Sequence, residues 1–360
     1  MQTSSAKAAL SFPYEVAPEP GGVQQIADGV LWLRMPLPFA LDHINVWALR
    51  DGDGWALVDT GMQSRDTAKA WDKAFAGPLG GLPVTRVICT HMHPDHIGMA
   101  GWLTRRFACK LWITRLEYII CRMLVADTGR EAPADALEFY RAAGWGATAL
   151  EHYKARFGDF GRGVYALPDS YRRVNHGDEL EIGGRLWRAV VGTGHSPEHL
   201  CLYCPELKLL ISGDQVLPNI SSNVSVFPTE PEGDPLGDWL SSLAAIRDAL
   251  PTDLLVLPSH NLPFRGLHAR LDALIAGHER SLDKLRALLS APRRVIDVFE
   301  ALYRRPIDGD ELLGLATGEA LAHLNYLRAR GQISRSRGVD GVDRYQSIQD
   351  SAAKAPERAG

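Results

Sequence analysis

The chain has 360 residues, 46% hydrophobic and 8% aromatic, with 39 Lys and Arg against 43 Asp and Glu and a formal net charge of −4. That length buries one large core with a smaller module attached, and the balance gives no overall electrostatic reason to expect nucleic acid or an anionic membrane as partner, although a local basic face is compatible with it. No stretch approaches the roughly 18–20 apolar residues of a membrane helix, five cysteines do not make a disulfide framework at this length, and the cytoplasm is the expected compartment.

Residues 1–22 are rich in Pro, Ser and Ala and read as a flexible leader, with an apolar run too short for a secretory signal. Residues 23–290 then form the main domain. "GVLWLRMPLP" and "HINVWALRDGDGWALVDTG" read as strands, the second a hairpin turning at Asp51-Gly52-Asp53-Gly54. Asp66 to Phe75 has Ala68, Trp71, Ala74 and Phe75 at helical spacing. "VTRVICT" is a short, almost wholly apolar strand that runs into "HMHPDHIG"; "IGMAGWLTRRF" follows as helix and "CKLWIT" as strand. Loops after strand C-termini are where α/β folds collect ligands and catalytic groups. Residues 116–161 read as a helical insertion whose Tyr118, Tyr140, Trp145 and Tyr153 line an apolar pocket or pack its helices. Strand patterns return over 162–216, followed by the loop "NISSNVSVFPTEPEGDP", the helix "LGDWLSSLAAIRDAL", the strand "DLLVLPSH" and a long helix from Gly266. Cys201 and Cys204 have CxxC spacing without a second pair, as two cysteines on a buried strand do.

Residues 291–346 read as a winged-helix-like unit. "RVIDVFEALY" is a helix, "GDELLGLATGEALAHLNYLRARGQI" holds two more with Gly318 near their junction, and "ISRSRGVDGVDRYQ" is a hairpin. Nine basic residues against eight acidic ones over 292–346 leave no strong nucleic-acid footprint, although Arg335 and Arg337 on the wing are positioned for phosphate contact. Packing on the main domain or assembly of a homodimer is the favoured role. Residues 347–360 read as a disordered tail.

His91, His93, Asp95 and His96 lie within six positions. Imidazole and carboxylate are the ligands of a Zn²⁺-type site that keeps an open position for chemistry. The i, i+2 spacing of His91 and His93 lets both converge on one ion, while Asp95 and His96 face a second. Two metals about 3.5–4 Å apart clamp an attacking hydroxide and polarise a substrate.

The signature HxHxDH resembles that of the metallo-β-lactamase superfamily, and the resemblance extends over about residues 25–265. "GTGHSPEH" supplies His195, "LLISGDQVL" Asp214 and "LLVLPSH" His260, each after an apolar strand pattern, and "LVDTG" with Asp59 matches a further motif. The resemblance implies an αββα sandwich with two divalent metal ions, Zn²⁺ first, with Mn²⁺ or Fe²⁺ also suited. His91, His93 and His195 would hold one ion and Asp95, His96 and His260 the other. Asp214 would bridge them, and Asp59 would orient a ligand histidine. "PSHN" departs from the glycine that relatives often place around the final histidine. His93 stands where di-iron relatives commonly carry Glu, and the bridging Asp differs from the antibiotic-hydrolysing enzymes, so antibiotic hydrolysis is disfavoured.

The expected activity is hydrolysis of a small ester-like molecule, a thioester or lactone, by a metal-bridging hydroxide, with His43 as a substrate contact. His199 reads as a satisfied core histidine. Two rivals stand beside it: phosphodiester hydrolysis, as in endoribonucleases that pair this fold with a winged helix, and a non-enzymatic metal-sensing DNA-binding regulator. The complete ligand set disfavours the regulator.

Overall fold

The computed structural model describes residues 10–304 and 306–348; residues 1–9 of the leader, Arg305 and, from residue 349, the expected disordered tail lie outside the described residues. Alternating apolar residues open the chain as an antiparallel meander of β1 (Val23–Ala27), β2 (Val30–Pro36), β3 (His43–Asp51) and β4 (Gly54–Val58). Asp51 pairs with Gly54 across the expected tight turn. Ser64 then caps α1 (Arg65–Ala76) by accepting from the Thr67 N–H at 3.0 Å. Strand β5 (Val84–Ile88) adds parallel to β4 and leads into α2 (Pro94–Ile97) and α3 (Ala100–Phe107). After β6 (Lys110–Ile113), the helices α4 (Arg115–Ala126), α5 (Ala134–Ala143) and α6 (Ala147–Arg156) occupy the insertion, and β7 (Arg172–Arg173) completes a seven-stranded sheet in chain order.

Strands β8 (Glu179–Ile182), β9 (Arg185–Gly192), β10 (His199–Cys204) and β11 (Leu209–Gly213) form a second antiparallel run. Helix α7 (Pro235–Ala249) carries the chain to β12 (Leu255–Pro258), parallel to β11, and β13 (Phe264–Arg265) closes a six-stranded sheet in the order β13-β12-β11-β10-β9-β8. The last elements are α8 (Leu267–Leu288), α9 (Phe299–Leu302), α10 (Asp310–Ala329) and the hairpin β14 (Ile333–Arg337) and β15 (Asp343–Ser347).

The period-two pattern of the strands decides the layers. Trp32 and Trp47 point to the same core as Ile88, Trp187, Leu200, Ile211 and Leu257, so the two sheets bury these faces on each other. Their neighbours Leu33, Val46 and Leu57 pack the opposite face of the first sheet with Trp71 and Phe75 of α1, Leu103 of α3 and Tyr118 of α4. Helix α7 lies against the loops of the second sheet, where a Cβ at Gly194 would sit 2.5 Å from that of Trp239. This is the αββα sandwich. No described helix is long and apolar enough to cross a membrane. Part of the leader expected to be flexible is tied down: Ser11 exchanges backbone hydrogen bonds with Arg265, and Tyr14 stacks edge-on to Trp32.

The chain divides into two compact units that cut across the order expected from sequence. One takes the residues to Glu131, Arg156–Ser222 and Asp238–Ile275; the other takes Ala132–Ala155, Asn223–Gly237 and the residues from Ala276. Within the second unit Tyr140, Trp145 and Tyr153 form an aromatic cluster, and Trp145 Nε1 donates to Thr317 Oγ1 at 2.9 Å. They pack helices, as does Tyr118 of the first unit, stacked on Tyr171 at 4.0 Å. Two expectations for the C-terminal region are corrected. "RVIDVFEALY" is a 3₁₀ turn followed by one α turn, and α10 is a single helix through Gly318. Gly318 is a close approach, not a junction: its carbonyl accepts the Val226 N–H at 3.0 Å, and a Cβ there would lie 2.6 Å from Ser225 Oγ. Arg335 and Arg337 on the hairpin are held by Glu232 and by Glu138 and Asp343.

Candidate metal centre

Each chemistry-bearing side chain follows the C-terminal end of a strand. Pro94 opens the one-turn helix α2 shortly after β5, which puts Asp95 and His96 on a helical turn while His93 stays on extended chain and His91 in the bend before it. Gly98 makes that turn possible, because a Cβ there would lie 2.6 Å from both Gln63 N and Gly163 O. His195 follows β9, Asp214 follows Gly213 at the end of β11 (φ +52°), and His260 follows β12.

These seven side chains meet. His91 Nε2 lies 2.8 Å from His93 Nδ1 and 3.3 Å from His195 Nε2. His260 Nε2 lies 3.4 Å from an oxygen of Asp95 and 3.4 Å from one of Asp214, while His96 Nε2 lies 3.5 and 3.6 Å from the same two carboxylates. Asp214 Oδ2 is 3.5 Å from His195 Nε2. Three groups have ligand atoms within 4.8 Å of one another: His91, His93 and His195; His91, His96 and Asp214; Asp95, His96 and His260.

The donor set fits metal ions. His91 and His96 are fully buried, and His96 Nε2 and Asp214 Oδ1 are buried without a hydrogen-bond partner. The ring nitrogens of His91, His93 and His195, crowded this closely, repel through their lone pairs unless a cation lies among them. Burial, reinforced by neighbouring imidazoles, pushes His91 well below the usual histidine range and His93 down to about 3, so both are neutral donors. Burial works against ionisation of Asp214, but His260 and His96 outweigh it and hold the carboxyl well below its ordinary value. Asp95 falls to about 2, against burial, through His96 and His260. Both acids are therefore carboxylates at neutral pH.

A surrounding layer aims these groups. Asp59, in the left-handed region at φ +62°, accepts from His96 Nδ1–H at 2.8 Å and from the Thr90 N–H at 2.8 Å, which turns His96 Nε2 inward. His260 Nδ1–H donates to the His43 carbonyl at 2.9 Å. The His43 ring is itself engaged: Nδ1 lies 2.7 Å from Asp42 Oδ1, and Nε2 accepts the Asn261 N–H at 3.0 Å. Both ring nitrogens are thus engaged, and His43 braces the loop of His260. His199 Nε2 accepts the Asp214 N–H at 3.0 Å, a positioning role for a core histidine.

Two residues of this layer escaped the sequence reading. Asn45 Nδ2 donates to the carbonyls of Pro258 and Asn261, both at 2.8 Å, pinning the His260 loop from either side. Glu117, fully buried on α4, accepts from the Met92 N–H at 2.9 Å and from the Glu198 N–H at 2.8 Å. One carboxylate thus ties the His91–His96 loop to the His195 loop. Burial pushes its pKa up, opposed by the Glu198 N–H, the Ser196 hydroxyl and the Met92 N–H. The available signal was an acid among Tyr118 and Cys121 on the apolar face of an otherwise ordinary helix.

A histidine- and aspartate-lined cluster at strand ends between two sheets defines a metal-dependent hydrolase. Residues 40–289 match the Metallo-beta-lactamase superfamily and residues 282–348 the Metallo-beta-lactamase-like, C-terminal domain. The chain belongs to the metallo-β-lactamase superfamily. It is similar to the crystal structure of a beta-lactamase domain protein from Burkholderia ambifaria, at 40% identity and TM-score 0.87 over 95% of this chain and 99% of that one. It is 22% identical to the probable metallo-hydrolase YqjP of Bacillus subtilis over 85% of this chain and 94% of that protein. An atrochrysone carboxyl ACP thioesterase of Aspergillus fumigatus is 24% identical over 69% of this chain, which spans 44% of that protein's length.

Proposed function

We propose that the chain is a dinuclear hydrolase of a small ester-like substrate, a thioester or lactone. His91, His93 and His195 hold one ion, Asp95, His96 and His260 the other, and Asp214 bridges them. The observation that carries this reading is the convergence of all seven side chains, with His96 Nε2 and Asp214 Oδ1 buried and unpartnered. Bound there, Zn²⁺, Mn²⁺ or Fe²⁺ supplies Lewis acidity and a water acidified towards neutral pH.

The protein's own residues prepare the site. Asp59 and the His43 carbonyl fix which nitrogen His96 and His260 present. Asp95 and His93, half-buried where the other five residues are buried, stand on the open side of the cluster, where a reacting group arrives. Glu117 holds the two histidine loops at one separation, so the ligand atoms need no rearrangement as charge develops. The named thioesterase among the relatives supports an acyl substrate.

The test is metal analysis combined with parallel assays of thioesters, lactones and phosphodiesters on metal-reconstituted protein. Close to two ions per chain and turnover of an acyl substrate are expected. Full activity in metal-free protein would overturn the reading, and RNA cleavage as the main activity would replace its substrate.

A further inference from the structure

The C-terminal unit contains a cleft of about 640 Å³ whose lining includes Arg280, Ser281 and Lys284 of α8 and Glu300, Tyr303 and Arg304 around α9. Its volume falls within the range of small-molecule sites. Arg280 and Lys284 are one helical turn apart, so their side chains emerge from the same face. Arg304 reaches the cleft from the segment after α9. Three cations against one carboxylate leave the lining with a charge of +2.

These cations differ from five others of the same unit. Arg328, Arg330, Arg335, Arg337 and Arg344 are each held by a carboxylate. Arg280, Lys284 and Arg304 have no such partner among the described residues, and all three are exposed. A second cavity in this unit, lined by Arg335 and Arg337, has the opposite character, because both guanidiniums are already spent on Glu232, Glu138 and Asp343. Of these two cavities the α8–α9 cleft is the one that presents unneutralised cations on a concave surface, which focuses positive potential.

The donors match one kind of ligand. Two guanidiniums, an ammonium and the Ser281 hydroxyl present more N–H and O–H groups than a carboxylate can accept, and suit the oxygens of a phosphate. Tyr303 offers an immobilised ring, since its hydroxyl donates to Glu319 Oε2 at 2.8 Å. Glu300 accepts from a hydroxyl or amine and so favours an organic phosphate over a bare anion. We propose that this cleft binds a phosphate-bearing small molecule, using none of the residues assigned to the metal ions. The occupant is an organic phosphate separate from the molecule hydrolysed at the metal centre.

The test is calorimetry of the full-length, metal-loaded protein with ADP, repeated on the Arg280→Gln/Lys284→Gln and Arg304→Gln variants. These side chains are exposed, so unchanged circular dichroism and melting are expected. Binding at least about tenfold weaker in the variants, with a shallower salt dependence, supports the site; unchanged affinity places the phosphate at the metals and overturns it, as does no binding by the unaltered protein. An oligoribonucleotide binding through these residues orders of magnitude more tightly than ADP overturns the small-molecule form. Weaker ADP binding with an unchanged KM for a coenzyme A thioester is expected for a separate ligand; a raised KM for that thioester overturns this form of the proposal. Because binding is read without turnover, a wrong substrate for the metal centre leaves this result intact.

Discussion

Replacing Glu117 by Gln exchanges one carboxylate oxygen for an NH₂ group and tests how the metal loops are held. The two carboxylate oxygens serve different loops: Oε2 accepts the Met92 N–H at 2.9 Å and Oε1 the Glu198 N–H at 2.8 Å. An amide has one oxygen, so its NH₂ must face the other N–H, donor against donor. One charge-assisted bond worth about 1.5–3 kcal/mol is lost and a buried N–H is left unsatisfied at about 1–3 kcal/mol. Burial already disfavours the charged acid, and relief of that cost offsets part of the loss. We expect Glu117→Gln to destabilise the metal-free protein by about 2–4 kcal/mol and to weaken metal binding by about 10–100-fold, the range for residues that orient ligands. Glu117→Asp is too short to span both loops and should not rescue. Denaturant titration of metal-free protein and competition with a chromophoric chelator measure the two effects. A Glu117→Gln protein with unchanged stability and unchanged metal affinity would refute the account of this carboxylate as the tie between the loops.

Asp214→Asn removes an anionic oxygen shared by both proposed ions; turnover should drop by at least about 10³-fold with circular dichroism preserved, and metal content should fall below two per chain. Gly318→Ala gains about 1 kcal/mol of helix propensity, but its Cβ would lie 2.6 Å from Ser225 Oγ and 2.7 Å from Ser225 Cβ. Overpacking costs about 1–3 kcal/mol, so a lower melting temperature is expected and a higher one would show that the Ser225 segment yields. His278, buried 3.3 Å from His323, has its pKa pushed from 6.5 to about 3 by burial and by His323. The unfolded chain binds the extra proton between those values, so stability is full above about pH 6.5 and declines as pH falls towards 3, by about 2 kcal/mol at pH 5. Urea midpoints against pH should show this slope flattened in His278→Asn; an equal slope in both proteins would remove the residue from the effect.

The seven converging side chains were legible because they are locally dense or follow local patterns. Four lie within "HMHPDH", and His195, Asp214, His260 and Asp59 each follow an apolar strand run that predicts a strand end. The bracing layer was not legible, because its partners are distant in sequence. Glu117 acts on residues 25 and 81 positions away, and Asn45 on residues 213 and 216 away. In sequence both look like ordinary polar residues of a helix and a strand. His43 was read for its imidazole, yet its carbonyl does the work at His260. Gly318 misled because glycine in a helical pattern commonly marks an end, whereas here it admits a neighbouring backbone. The compact units were hidden for a similar reason: residues 132–155 are continuous with the hydrolase sequence but pack with the C-terminal elements.

The order of the strands sets a schedule for the nascent chain. On the proposed ligand assignment, the donors of the first ion are complete once His195 has been synthesised, and Asp214 follows nineteen residues later. The second ion lacks its last donor until His260, which comes after the crossover through α7 to β12. On that assignment a chain ending between residues 214 and 260 would carry the donors proposed for the first ion and lack His260, the last donor proposed for the second.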